Sequence, residues 1–237
     1  MKCKLCGQDR PLKKSHIIPE FMYSKLYDDK HRFHEIHVDS MTKNRLPQKG
    51  VRERLLCDEC EQHFSKYERY ASLVLNGGYE LIVKKIDGIL HFEGVKYDQF
   101  KLFALSILWR ASVSTLKFFE EVNLGSHEEK IREMLLSGDS GKESDYPFLL
   151  SPILHENEIQ EALIVKPTAS AVDQNEAYRF VFGGMAWVFV INDKPVPNIV
   201  VQASISKTGV LKMMPWQMTK MGFLVGMAED AVRNGKL

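Results

Sequence analysis

The sequence predicts an α+β protein of two parts: a cysteine-stapled N-terminal unit over residues 1–77, then a mixed helical and β-sheet region over 78–237. Three observations predict this. Four cysteines fall into two identical spacings, Cys3-x-x-Cys6 and Cys57-x-x-Cys60. The segment 97–123, YDQFKLFALSILWRASVSTLKFFEEVN, is apolar almost all round, the pattern of a buried helix. Beyond residue 160, EALIVKP, AYRFVFGGMAWVFVIN and NIVVQASI are rich in Val, Ile, Phe and Trp, the pattern of strands.

Composition narrows the function classes. A chain of 237 residues with 44% hydrophobic and 27% charged residues is globular, neither disordered nor fibrous. Its 32 Lys+Arg against 31 Asp+Glu leave a net charge of +1, so no global field draws it to nucleic acid or to an anionic membrane. No stretch reaches the about eighteen apolar residues that a membrane span requires. The opening MKCKLCGQDR has no apolar core of the kind a signal peptide carries. A cytoplasmic protein without a membrane partner is expected.

In a reducing compartment, paired Cys-x-x-Cys motifs are metal ligands before they are disulfides. Cys3, Cys6, Cys57 and Cys60 supply the four thiolates of a tetrahedral zinc. With every position filled by sulfur the zinc is structural, and no site stays open for water. A redox Cys-x-x-Cys beside a spare pair is the competing reading. After the second pair, EQHFSKYERYASLVL carries Phe64, Tyr67, Ala71 and Val74 at the helical period, and Gly77-Gly78 stops it. A knuckle, a hairpin, then a second knuckle opening a helix is the treble-clef arrangement. Residues 21–50 read as a long loop with a short helix near Glu20 to Leu26.

Further on, one or two short strands are expected around Leu90 to Val95, ahead of the 97–123 helix. Ser126 with Glu129 reads as a capping box for a helix to about Leu136, and 138–146 as a polar linker. The three strand segments follow. The final PWQMTKMGFLVGMAEDAVRN reads as an amphipathic helix starting at Pro215 and ending before Gly235.

Charge is unevenly placed. Residues 1–72 hold 15 Lys+Arg and 11 Asp+Glu, a balance of +4, so the remainder carries +1 minus +4, or −3. Within that basic part lie Lys14-Ser15-His16-Ile17-Ile18-Pro19 and Leu55-Leu56-Cys57-Asp58-Glu59-Cys60-Glu61. Cys-x-x-Cys, then SHIIP, then LLCxxCE resembles the HNH (ββα-metal) endonucleases of the four-Cys zinc type. The resemblance covers about the first 70 residues.

What it implies is a phosphodiester hydrolase. A histidine base activates water, and one divalent cation, Mg2+ or Mn2+, stabilises charge on the phosphate and leaving oxygen. Carried over, His16 matches the base. Ser15 stands where the first metal ligand belongs, Arg52 where an Asn orients the base, and Glu61 at the second ligand position. His16 and Glu61 are thus the expected catalytic pair, facing one another across a small cleft. His63, or His31, His34 and His37 of the loop, are further ligand candidates. A solvated helix face or loop accounts for them more simply, and Glu53 is an alternative orienting group. Lys13, Lys14, Arg52 and Arg54 are the expected phosphate contacts, with Lys43, Arg45 and Lys49 nearby.

The resemblance therefore implies an endonuclease on DNA or RNA, in defence against foreign nucleic acid. Two other readings stand beside it. One is a finger that has lost catalysis and binds nucleic acid or a protein; the other is a sensing role for the C-terminal sheet. A homo-oligomer or a protein partner would use that C-terminal region.

Overall fold

A computed structural model describes residues 1–38 and 40–237. The N-terminal unit is a hairpin followed by a helix. Strand β1, Leu12–His16, pairs antiparallel with β2, Arg52–Cys57, in a register that sets His16 opposite Arg52 and Ser15 opposite Glu53. Helix α1, Asp58–Leu75, leaves β2 directly, with Cys57 as its N-cap residue. Asp58, Glu59 and Glu61 in the first turn complement the helix dipole. Cys60, Phe64, Ala71 and Val74 form the buried stripe, and the helix stops at Asn76 before the left-handed Gly77. Between the strands, a 3-10 turn spans Glu20–Tyr23, within the predicted short helix.

The rest of the chain is mixed helix and sheet, as expected. Strands β3, Ile82–Ile86, and β4, Ile89–Glu93, form a hairpin closed by Asp87 and Gly88, both left-handed, the geometry of a type I′ turn. Then come α2, Tyr97–Val113, and α3, His127–Ser137. Strands β5, Phe148–His155, β6, Glu158–Ile159, β7, Val165–Val172, β8, Asn175–Phe182, and β9, Met185–Val190, follow. The chain closes with α4, Asn198–Ala203, β10, Val210–Met213, β11, Trp216–Gln217, and α5, Gly222–Arg233. The main sheet runs β3-β4-β10-β5-β9-β8-β7, antiparallel except at β10–β5.

Helix α2 is the centre. Phe100 stacks on Trp187 and packs tilted against Phe148 on the inner sheet face, Phe103 meets Trp187 edge-on, and Trp109 meets Phe64 of α1 edge-on at 6.3 Å. One apolar core thus contains Leu5, Ile17 and Phe64 together with Phe103, Trp109 and Trp187, running without a break across residue 77. A smaller cluster of Ile153, Val181, Met221 and Leu224 seats α5 on the opposite sheet face. Among the described residues no helix is long and apolar enough to cross a membrane.

Four element readings need correction. NIVVQASI is not a strand: α4 occupies 198–203 with only Val200 buried and Ile199 76% exposed. Pro197 sets a helix-ready φ just before it, and β-branched residues without a strand partner express no sheet preference. Helix α2 ends at Val113 rather than 123, because Ser114 and Thr115 turn their hydroxyls to Glu53 at 2.7 and 2.6 Å. The capping box does not form: Ser126 makes no side-chain cap bond, and Arg132 takes both Glu129 oxygens. The last helix begins at Gly222, since Trp216 and Gln217 pair with β5.

Candidate metal centre and the His16 corner

The hairpin and the start of α1 bring the four cysteines together. Their sulfurs all lie within 4.8 Å of one another. Tetrahedral zinc at about 2.3 Å from each sulfur implies neighbouring sulfurs about 3.8 Å apart; Cys6 and Cys57 stand at 3.9 Å. All four are free thiols, and the Cys57 N–H donates to Cys3 Sγ at 3.3 Å. Burial pushes the Cys3 thiol up, but N–H groups of Cys6, Cys57 and Leu5 outweigh it and bring it down to about 7. Burial and the neighbouring sulfurs push Cys60 far up. Four converging sulfurs repel as thiolates unless a cation sits among them, so the group fits a metal such as zinc. Among the described residues it is the only group of three or more His, Cys, Asp or Glu with ligand atoms this close.

Next to it lies the corner where β1 meets α1. Ser15 is buried; its hydroxyl donates to Glu61 Oε1 and accepts the Leu56 N–H at 3.3 Å. The two positions at which the resemblance puts the cation are therefore in direct contact. Burial raises the Glu61 carboxyl, with the Ser15 hydrogen bond and the Arg110 charge opposing. His16 is half-buried, and its Nε2 stands 2.8 Å from Glu20 Oε2. Burial lowers its pKa, helped by the cations Arg52 and Arg110 and opposed by Glu20 and Glu68. The downward shift favours the neutral imidazole, the state a proton acceptor needs.

The other expected residues divide. Lys14 is exposed, and Arg52 stands half-buried across the hairpin from His16. Lys13 pairs with Asp58 at 3.1 Å, and Arg54 donates to the Leu12 carbonyl at 2.9 Å, bracing the hairpin. Glu53 is held by Ser114 and Thr115, away from any orienting role. His63 is neither solvated nor placed at the corner: its Nε2 meets the Leu135 carbonyl of α3 at 2.8 Å. His31 stacks on Tyr27 at 3.8 Å, His37 pairs with Glu35 at 3.2 Å, and His34 is exposed.

Several residues escaped the sequence reading. Arg110 is 1% exposed; it donates to the His16 carbonyl at 2.6 Å and pairs with Glu68 at 2.8 Å. An arginine at the end of the apolar run LFALSILW was the available signal. Glu20 and Tyr27 gave none, since their meeting depends on how the loop folds. In the second part, buried His127 holds the Tyr146 hydroxyl at 2.9 Å and Asp193 at 2.6 Å, beside a cleft of about 460 Å3 that Lys130, Glu133 and Asp145 also line.

Compared with known proteins, the chain matches no protein-family model, no curated protein and no solved structure.

Proposed function

We propose that the protein is an HNH-like, metal-dependent endonuclease that hydrolyses phosphodiester bonds of DNA or RNA, built on a treble-clef finger with a structural zinc. Defence against foreign nucleic acid is the role the resemblance suggests. The observation that carries the reading is the contact between Ser15 and Glu61, one residue from His16. It joins, at one corner of hairpin and helix, the positions this chemistry requires.

In this reading neutral His16 takes a proton from water as the water oxygen bonds to phosphorus, and the leaving oxygen departs with its bonding pair. Glu61 is the side chain that would hold a hard cation, which binds through one or two carboxylates and keeps its remaining waters. Such a cation supplies charge stabilisation on the phosphate when bound. Lys14 and Arg52 would grip backbone phosphates, sequence-independently. Lys13 and Arg54, already engaged, contribute less.

A second reading has its own support. The Ser15 hydroxyl is buried and bonded to both Glu61 and the Leu56 N–H, which leaves it poorly suited to bind a cation and supports a finger that binds nucleic acid or a partner without cleaving. Cleavage of a panel of single- and double-stranded DNA and RNA, with Mg2+ or Mn2+, separates the two. The endonuclease predicts metal-dependent cleavage that His16→Ala lowers by about a hundredfold to ten-thousandfold with zinc content intact. Binding without cleavage hands the function to the second reading.

A further inference from the structure

We infer that Glu20, anchored by Tyr27, is the residue that positions His16. The inference rests on the endonuclease reading for its kinetic arm only. A histidine base needs an acceptor on one ring nitrogen, so that the other keeps its lone pair for the proton. The resemblance places that partner at position 52, but Arg52 is all donor and no acceptor. Glu53, the other candidate, is bonded to Ser114 and Thr115.

Glu20 meets the requirement. Its Oε2 lies 2.8 Å from His16 Nε2, and Oε1 accepts the Tyr27 hydroxyl at 2.6 Å. His16 Nε2 and Glu20 Oε2 are both shielded from water, and neither makes a hydrogen bond of full angular quality to any group, so the 2.8 Å approach to each other is the one polar contact shown for this pair of atoms. Their contact is close without full alignment, the state in which catalytic hydrogen bonds are found before substrate tightens them. Local chain geometry makes the meeting possible. The Met22 N–H bonds the Pro19 carbonyl at 3.0 Å, closing the turn that brings position 20 back to the strand end. Arg110 fixes the His16 backbone from the other side. Burial, reinforced by the Glu20 charge, pushes the Tyr27 hydroxyl up to about 12, so Tyr27 remains a donor and pins the carboxylate. With a carboxylate at Nε2, the ring proton resides there and Nδ1 keeps its lone pair as the acceptor.

Ring 15N shifts of His16 in the labelled, zinc-loaded full chain test this directly, because they report the tautomer whether or not the protein cleaves anything. Wild type should hold the Nε2–H tautomer. Glu20→Gln should move the population toward Nδ1–H, Glu20→Asp should restore part of it, and Tyr27→Phe should give a smaller shift in the same direction. Where wild type cleaves, Glu20→Gln should lower kcat on the order of ten- to a hundredfold with KM little changed, the usual loss when an orienting partner is removed. A tautomer unchanged in Glu20→Gln overturns the inference, even if His16→Ala abolishes cleavage. Should Glu20→Gln lose its zinc or its fold, an unchanged tautomer in Tyr27→Phe overturns it instead. A tautomer shift in a protein inert toward every nucleic acid leaves the positioning role standing and removes the endonuclease reading.

Discussion

Arg110 of α2 donates from Nη1 to the carbonyl oxygen of His16 on β1 at 2.6 Å, across 94 positions of sequence. The same guanidinium pairs with Glu68 of α1, bonds Ser106 through Nε and Nη2, and lies over the Phe64 ring at 5.4 Å. One buried cation thus ties the β1–β2 hairpin, helix α1 and the central helix α2 into a single corner. A charge taken out of water is tolerated only where partners surround it, and here every nitrogen has one.

Removing it should therefore be costly. Arg110→Leu strands Glu68 and the His16 carbonyl, and should lower unfolding free energy by about 3–5 kcal/mol in urea titrations. The double variant Arg110→Leu with Glu68→Leu should recover a large part of the loss. A single variant within 1 kcal/mol of wild type would mean that the pair is not the brace described.

The four cysteines predict one tightly held zinc per chain. Because the core runs across residue 77, chelation or Cys57→Ser should destabilise helix α2 and the sheet as well as the finger. Near-UV circular dichroism and tryptophan fluorescence should report one shared transition, since Trp109 and Trp187 sit in that core. Substoichiometric zinc in a folded, reduced sample would refute the metal assignment. Two separable transitions would refute the shared core.

Lys101 gives a pH signature. It is 1% exposed, and burial lowers its ammonium from the ordinary 10.5 to about 8. Between those values the unfolded chain binds a proton that the folded chain has released, so this residue makes stability rise with pH from about 8 toward 10. Below pH 8 both states are protonated and its contribution is flat and unfavourable. The difference in unfolding free energy between wild type and Lys101→Met should follow that slope; a pH-independent difference would contradict it.

His127 makes a simpler claim on stability. Its ring is the partner of the buried Tyr146 hydroxyl, on a residue whose φ of +49° is unusual for a side chain of that size. His127→Ala should cost about 1–3 kcal/mol, the penalty of a buried polar group left without its partner. Zinc content should not change.

Much of the finger was legible in the residues alone. Cysteine spacing, the apolar stripe of α1 and Gly77 each act within a few positions, and local rules are enough to place them. The strand character of AYRFVFGGMAWVFVIN was legible for the same reason, although the sequence reading took it as one segment and not as the β8–β9 hairpin that folds back at Gly183-Gly184. The end of α2, the fate of NIVVQASI and the missing capping box were not. Glu53 settled the first from 61 positions away, Ile199 found no strand neighbour, and Arg132, which also reaches Leu5 from 127 positions away, took up Glu129.

The candidate site divides along the same line. The sequence by itself determined which residue types stand at positions 15, 16 and 61, and therefore what chemistry they can do. A local turn brings Glu20 back to His16, whereas tertiary structure alone decided that Ser15 meets Glu61 and that Arg110 closes the corner behind them. A side chain's chemistry is carried by its own atoms. Its partner, burial and protonation state depend on which distant segments the packed core brings against it.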